Sequence, residues 1–412
     1  MRTTRTATTV ISLLVASALA FAMPSAGAAT PASSELHGVS CVNASTCFAV
    51  GESLGAAIGT GKTLVERWNG KAWSIVASPN PAGARYATLF GVSCTSASNC
   101  FAVGFQIKTG ATANTSLVER WNGHTWSIVA TPSASASATD STYLEGVSCT
   151  GPTFCIAAGY LFVAGKSGSL IAFKTVLEQW NGTKWSLVAS PTPPGSTSSR
   201  LHAASCTSAS ACVAVGDQDL KTRPPGSFAE GPVTLTERWN GKAWSVVASP
   251  SPTIGSGASL LAVSCTSASN CLAAGEYAEG GAGRSGLLTE HWNGKSWSLL
   301  ASHPPSRAYS WLSGVSCATT TSCMATGYFS RSASDPRGSS TLTERWNGTA
   351  FSLGSSPNAA FYNTLNAVSC VHAGSCIAVG NSAASGANAN RTLAEQWNGT
   401  KWSVVPIPNP SQ

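Results

Sequence analysis

Two columns of a repeated sequence in this 412-residue chain carry acids, histidines, aromatic residues and amides at equivalent positions. The first column contains His37, Phe90, Glu145, His202, Leu261, Ser313 and Asn366. The second column contains Glu52, Phe105, Tyr160, Asp217, Glu276, Tyr328 and Asn381. A column with such mixed chemistry cannot serve one repeated packing role, so these residues are the first candidates for function.

Two copies of the repeat place a histidine beside an acid. His37 with Glu52, and His202 with Asp217, could each form a general base with its orienting carboxylate, or could share a metal ion. A hydrogen-bonded polar rim without catalytic chemistry is the third interpretation. The sequence leaves all three open.

Glycoside hydrolysis needs two carboxyl groups on either side of the scissile bond, about 5 to 9.5 Å apart. Seven of the chain's acids recur in every copy, and a single active site would not need seven equivalent bases. The remaining acids nearest the expected central funnel are Glu52, Glu145, Asp217 and Glu276. Together with His37 and His202, they are the candidate catalytic residues.

Aromatic residues gather in the variable segments of the repeat, which hold all seven tyrosines and Trp311. Tyrosine and tryptophan give rigid, amphipathic contact area at a small entropic cost, and their rings suit the apolar faces of sugars. The ligand-binding candidates are Trp311, Tyr143, Tyr160, Tyr328, Phe105, Asn366 and Asn381. Alternatively, these rings hold neighbouring loops together.

A repeat that occurs seven times between Leu36 and Val405 supplies the elements that must position these residues. Its β-rich segments in the first copy are strand A (36–41), strand B (47–51), strand C (64–68) and strand D (73–77). Strands A and B meet at a Cys-x5-Cys turn, and strands C and D meet at Asn-Gly, a strong hairpin signal. The copies recur every 52 to 59 residues, a period typical of solenoids and propellers.

A four-stranded meander cannot bury both of its faces alone, but seven arranged radially cover one another. The sequence therefore predicts an all-β fold, a seven-bladed β-propeller of four-stranded antiparallel blades. The predicted blades are approximately 36–81, 89–134, 144–193, 201–252, 260–305, 312–358 and 365–410. Ring closure is expected to rest on packing of the seventh blade against the first, near Ser33 and Pro406.

The predicted strand order separates a constant face from a variable one. The A–B and C–D turns are nearly constant in sequence, whereas the B–C loops and the connections between blades vary, so function is expected on the variable face. The tryptophans beside the Asn-Gly turn are predicted to be core. A glutamate before each turn is predicted to be structural and to make the same hydrogen bond in each blade: Glu66, Glu119, Glu178, Glu237, Glu290, Glu344 and Glu395.

All 14 cysteines fall in the seven Cys-x5-Cys pairs. Residues six apart across a short hairpin can reach disulfide geometry, and the spacing with only six scattered histidines argues against structural zinc on the cysteines. The predicted disulfides are Cys41–Cys47, Cys94–Cys100, Cys149–Cys155, Cys206–Cys212, Cys265–Cys271, Cys317–Cys323 and Cys370–Cys376.

The amino terminus resembles a cleavable signal peptide, predicted at residues 1–29. It has Arg2 and Arg5, an apolar run from Val10 to Met23, and small residues before the expected cleavage point. Paired cysteines fit the same export route. The mature chain is therefore predicted to be secreted, extracellular and monomeric, without membrane insertion.

Only 10% of the residues are charged, and the chain has no basic run or stripe that could follow a phosphate backbone. Nucleic acid is therefore not an expected partner. An extracellular glycan or surface polymer is the expected one, and a protein partner remains an alternative. No cofactor is predicted, and a structural ion in the central channel is left open.

The segment Asn69-Gly70-Lys71-Ala72-Trp73 resembles the end of the Asp-box on the C–D hairpin of sialidase-like propellers, although Trp68 stands at the aspartate position. The chain resembles secreted bacterial seven-bladed propellers with Trp-Asn-Gly repeats, which have kelch-like and sialidase-like relatives. Galactose oxidase is a kelch-type propeller that uses a tyrosine crosslinked to a cysteine. Since every cysteine here is in a framework pair, that copper site is not expected. The resemblance implies the fold and leaves function open.

Three functions therefore remain in view from the sequence. The leading hypothesis is a secreted recognition protein that binds glycans or cell-surface polymers through the variable face. A secreted carbohydrate-active enzyme, either a glycoside hydrolase or a polysaccharide lyase, would instead use the funnel acids. A protein-binding scaffold or inhibitor would use the same face.

Overall fold

The computed structural model describes residues 33–410 except 56, 166–168, 222–230, 253–256, 280–283, 304–308, 331–337, 388 and the side chain of residue 279. The predicted signal peptide lies outside these residues. Over the described range the chain forms 28 strands in seven four-stranded antiparallel sheets. This confirms the predicted fold, and none of the described residues forms a helix long and apolar enough to span a bilayer.

Each blade uses four consecutive strands. Blades one to four contain β1 Ser33–Asn43, β2 Thr46–Leu54, β3 Gly61–Trp68, β4 Trp73–Val76, β5 Ala84–Ser96, β6 Asn99–Lys108, β7 Thr115–Trp121, β8 Trp126–Val129, β9 Ser141–Gly151, β10 Phe154–Ala164, β11 Leu170–Trp180, β12 Trp185–Val188, β13 Ser196–Ser208, β14 Ala211–Leu220, β15 Val233–Trp239 and β16 Trp244–Val247. Blades five to seven contain β17 Gly257–Ser267, β18 Asn270–Glu279, β19 Arg284–Trp292, β20 Trp297–Leu299, β21 Tyr309–Thr319, β22 Ser322–Ser330, β23 Ser339–Trp346, β24 Phe351–Gly354, β25 Tyr362–His372, β26 Ser375–Ala383, β27 Arg391–Trp397 and β28 Trp402–Val404.

The first two strands of each blade are longer than the sequence predicted. In blade one, pairing continues past Gly51 until Ser33 lies opposite Leu54. The second column of candidates was expected just after strand B, and that expectation is wrong. Glu52 lies inside β2, between its partners Glu35 and Thr63. These residues are thus held by two neighbouring strands instead of a loop.

A ring of serine hydrogen bonds joins the innermost strands of all seven blades. In each case the serine before the first cysteine accepts a hydrogen bond from the first cysteine's backbone N–H in the next blade, at 2.9 to 3.0 Å. The link from Ser369 to the Cys41 amide, at 3.0 Å, closes the ring. Ser33 also contributes, because its hydroxyl accepts from the Asn390 amide at 2.9 Å.

Replacing Ser93 with alanine should lower the free energy of unfolding by about 1 kcal/mol, because the half-buried Cys149 amide loses its acceptor. Urea unfolding of the oxidised protein measures the change. Ser127→Ala, on the exposed side of β8, is the matched control and should change stability by less than about 0.5 kcal/mol. Equal effects of the two substitutions would contradict a role for the serine ring.

The constant face is fixed by local contacts repeated around the ring. All seven predicted disulfides are present, with Cα–Cα distances of 3.9 to 4.0 Å. The Trp68 indole N–H donates to the Ala44 carbonyl at 3.1 Å and ties the two turns of the blade together. Equivalent bonds occur in the other six blades. These tryptophans are buried except for the half-buried Trp397. The aromatic residue that begins strand D, which is Trp73 in blade one and Phe351 in blade six, is buried in every blade.

The seven framework glutamates are fully buried, at 0% exposure. Four of them accept a hydrogen bond from a serine that follows strand D of the preceding blade, as Glu119 does from Ser78 at 2.8 Å. Glu344 accepts instead from the His303 amide at 2.8 Å. Glu66 and Glu178 make no hydrogen bond within the described structure. At the position of the donating serine, the preceding blades have Ile407 and Thr131, and Thr131 bonds to Ser116 instead. The expectation of one bond repeated seven times is therefore wrong.

Candidate functional site

A β-bulge in the first strand of every blade positions the first column of candidates. In blade one, Leu36 pairs with Gly51 and Gly38 pairs with Val50, so His37 is the extra residue. The other six blades have the same shift at the equivalent residue. A Cβ at Gly51 would lie 1.9 Å from the Glu35 carbonyl oxygen, which explains the glycine at this position in each copy. Bulges redirect side chains in this way near functional sites.

Each blade consequently presents three side chains on one side of its innermost hairpin. They come from the bulged residue, from the residue two positions before it, and from the strand-B residue that pairs with the latter. We call each set a blade triplet. The triplets are Glu35–His37–Glu52, Thr88–Phe90–Phe105, Tyr143–Glu145–Tyr160, Arg200–His202–Asp217, Ser259–Leu261–Glu276, Trp311–Ser313–Tyr328 and Thr364–Asn366–Asn381.

The two columns identified from the sequence supply two members of each triplet. The third member, two positions before the bulge, was missed in most blades. Tyr143 and Trp311 were candidates because they are aromatic, whereas Arg200 and Ser259 were not singled out. The available signal was spacing, because residues two apart on a strand share a face. Arg200 stands two positions before His202.

Asp217 lies at the centre of a buried polar network that joins blades three, four and five. Its Oδ1 accepts from Arg200 Nε at 3.1 Å and from Nη2 at 2.8 Å. Its Oδ2 lies 2.8 Å from His202 Nε2 and accepts from the Ser259 hydroxyl at 2.9 Å. The other imidazole nitrogen, Nδ1, lies 2.5 Å from Glu145 Oε2. The predicted His202–Asp217 pair thus exists, and Glu145 joins it from the neighbouring blade.

The charges of this network balance. Burial by itself lowers the pKa of His202, but the Glu145 and Asp217 carboxylates outweigh it and raise the pKa to about 9. Burial raises the pKa of Asp217, yet His202 and Arg200 bring it below its usual value. Burial and the Asp217 charge raise the pKa of Glu276 to about 8, so Glu276 is neutral at pH 7. Two cations therefore face two carboxylates, and the protonated imidazole has no free lone pair to accept a proton.

The blade-one triplet forms a second, separate polar cluster. One ligand-type atom from each of Glu35, His37 and Glu52 lies within 4.8 Å of the others. The Tyr86 hydroxyl donates to Glu52, and Asn390 Nδ2 donates to Glu35 Oε1 at 2.5 Å. Burial raises the pKa of Glu52, although the His37 charge opposes the shift. The predicted His37–Glu52 pair is thus placed together, with Glu52 held by Tyr86 of blade two and the adjoining Glu35 held by Asn390 of blade seven.

A continuous series of aromatic rings runs from blade two to the edge of blade four's polar network. We call Phe90, Phe105, Tyr143, Tyr160 and Phe173 the aromatic arc. Successive ring centroids are 5.8, 4.9, 5.0 and 5.3 Å apart. Each ring remains partly exposed. The arc contains three of the predicted ligand-binding residues.

The remaining candidates lie apart from the arc and are engaged internally. Trp311 and Tyr328 are half-buried with ring centroids 4.7 Å apart. Asn366 donates to the Leu36 carbonyl at 2.8 Å, and Asn381 accepts from the Thr364 hydroxyl at 2.6 Å. Asn366 therefore helps to join blade seven to blade one, whereas Asn381 is bonded within blade seven, and a role for either in ligand binding stays a prediction.

Comparison with known proteins identifies similar folds. No family model and no curated protein matches the chain. An ulvan lyase of polysaccharide lyase family PL25 has 7% identity and a TM-score of 0.51 over 92% of this chain and 97% of that chain. The SapL1 lectin in complex with alpha methyl fucoside has 12% identity and a TM-score of 0.43 over 92% and 97%. YCF48 from Cyanidioschyzon merolae has 14% identity and a TM-score of 0.46 over 89% and 96%. At these identities the likeness shows the propeller fold alone.

Proposed function

We propose that this chain is a secreted recognition protein that binds a glycan or cell-surface polymer through the variable face of the propeller. The aromatic arc is the observation that carries this proposal. Its rings are partly exposed and form one series across blades two and three. Carbohydrate recognition uses such rings against the apolar faces of sugars, with nearby polar groups to fix orientation.

Polar groups beside the arc supply that orientation. Asn114 Nδ2 donates to the Tyr143 hydroxyl at 2.7 Å, and this holds the ring in place before a ligand arrives. Burial raises the pKa of Tyr143 and of Tyr160, so both hydroxyls stay neutral hydrogen-bonding groups. A ring that is already fixed loses little conformational entropy on binding.

Seven disulfides support the extracellular setting, because such bonds persist in oxidising compartments. A glycan on a cell surface or in a matrix would be within reach of a protein exported there. The predicted signal peptide leads to the same setting.

Tyr143→Ala should weaken glycan retention at least tenfold, because it removes the central ring of the arc. A glycan array with the mature protein identifies the ligand, and calorimetry on that ligand gives the affinity. Phe361→Ala is the matched control, since this ring is 47% exposed but lies outside the arc. Loss of binding with Phe361→Ala and not with Tyr143→Ala would refute the proposed location.

A carbohydrate-active enzyme is the second candidate, and one observation favours it. Asp217 and Glu276 are neighbouring carboxyl groups whose pKa values are shifted in opposite directions, a pattern found in acid–base pairs. Both side chains are buried, which favours recognition over turnover. A reducing-sugar release assay, run beside the array, distinguishes the two functions. Sugar release abolished by Glu276→Gln would replace recognition with hydrolysis.

A further inference from the structure

We propose that Glu35, His37 and Glu52 form a zinc-binding site at the junction of the last blade with the first. The three side chains form the blade-one triplet, and each offers one ligand atom to the same small volume. The site adjoins the aromatic arc, since the His37 and Phe90 rings lie 5.2 Å apart, but the inference rests on the ligand atoms of the triplet and does not depend on glycan binding.

The charges of the triplet call for a cation. Among the described residues, neither Glu35 nor Glu52 has a lysine or arginine within salt-bridge distance. In blade four the same three positions hold Arg200, His202 and Asp217, and there the guanidinium is bonded to the carboxylate. Blade one has a second carboxylate where blade four has that cation. An external cation would replace the one that the sequence of blade one lacks.

The chemistry of the ligands favours zinc. One imidazole nitrogen and two carboxylate oxygens form a mixed nitrogen and oxygen set, whereas calcium and magnesium prefer oxygen alone. Zinc sites with three protein ligands keep a fourth position for water or another ligand. Ligand atoms that lie within 4.8 Å of one another would have to approach to about 3.3 Å around tetrahedral zinc, so binding would require the side chains to shift by up to about 1.5 Å. Glu35 and His37 are partly exposed, so an ion can reach them.

Surrounding residues already orient the two carboxylates. Asn390 of blade seven bonds to Glu35, and Tyr86 of blade two bonds to Glu52. The Thr88 hydroxyl is fully buried beside Glu52 and lacks a hydrogen bond of normal geometry. Outer groups of this kind fix metal ligands and are a recurring part of metal sites. Zinc bound by the three blade-one ligands would therefore be supported by hydrogen bonds from blades seven and two.

Calorimetric titration of the oxidised, EDTA-dialysed mature protein with zinc chloride tests the proposal. The expected result is one zinc per chain, with a dissociation constant at least tenfold higher in His37→Ala and in Glu52→Gln. The melting temperature of the wild type, and not of these variants, should rise with zinc. His372→Ala replaces an exposed histidine at the end of β25; it is the matched control and should bind as the wild type does.

Glu35→Gln is the variant least expected to disturb folding. Glu35 is partly exposed, and glutamine has a similar size and keeps an acceptor oxygen for Asn390. Near-ultraviolet circular dichroism of the zinc-free variant establishes that it is folded. Wild-type zinc affinity in Glu35→Gln and His37→Ala would overturn the proposal. So would the absence of binding to the wild type, or binding of calcium in preference to zinc.

Discussion

Replacing Asp217 with asparagine should lower the free energy of unfolding by about 3 to 5 kcal/mol. The carboxylate is 2% exposed and is bonded to Arg200, His202 and Ser259. Removing its charge leaves two buried cations against the single carboxylate of Glu145. An unpaired buried charge costs far more than the pair itself contributes. Urea unfolding at pH 7 measures the loss.

A second substitution tests this electrostatic explanation. Adding Arg200→Gln to Asp217→Asn removes the unpaired guanidinium, so the double variant should be more stable than the sum of the two single changes predicts. Lys71→Gln, on the exposed Asn-Gly turn, is the control for loss of one charge and should change stability by less than about 0.5 kcal/mol. Strict additivity of the two buried substitutions would contradict the coupled network.

The second large effect that we expect is a fall in the free energy of unfolding as the pH rises from 5 to 8. Burial raises the pKa of Glu66 and of Glu178 to about 8, and the other framework glutamates shift in the same direction. Their usual pKa of 4.5 applies in the unfolded chain. Between these values the folded chain holds more protons, so its stability is complete below pH 4.5 and is lost through pH 8. Glu66 and Glu178 each lose about 1 kcal/mol of stabilisation per pH unit over this interval.

His202 acts in the same direction, since its pKa is raised to about 9 and its stabilisation disappears above neutral pH. Glu66→Gln isolates one glutamate, because Glu66 has no hydrogen bond that the substitution would break. The variant should lose less stability than the wild type between pH 5 and pH 8, by about 3 kcal/mol. Urea midpoints at both pH values provide the comparison. Stability that increases towards pH 8 in the wild type would disprove buried, neutral glutamates.

The two faces of the propeller differ in how their residues are constrained. On the constant face, Asn69 makes contacts within its own turn and Trp68 bonds to Ala44 within the same blade, and the other copies repeat these contacts. On the variable face, the bulge opposite Gly51 supplies the same backbone in each blade and different side chains. A fixed backbone with changing side chains is the arrangement in which binding properties can diverge without loss of the fold.

The sequence by itself determined the strands, the disulfides and the number of blades, because these depend on short-range spacing repeated seven times. Cys41 faces Cys47 through a hairpin that the chain must form locally, and the Asn-Gly turn fixes the outer hairpin in the same way. The predicted pairs His37–Glu52 and His202–Asp217 were accessible for the same reason, since both partners lie on one hairpin.

Only the tertiary structure decided how the blades meet. Glu145 reaches His202 across 57 residues, and Ser259 reaches Asp217 across 42. No local pattern encodes these distances, because they depend on the angle at which one twisted sheet packs against the next. Contacts within a hairpin are set by chain connectivity, whereas contacts between blades exist only after the ring has closed.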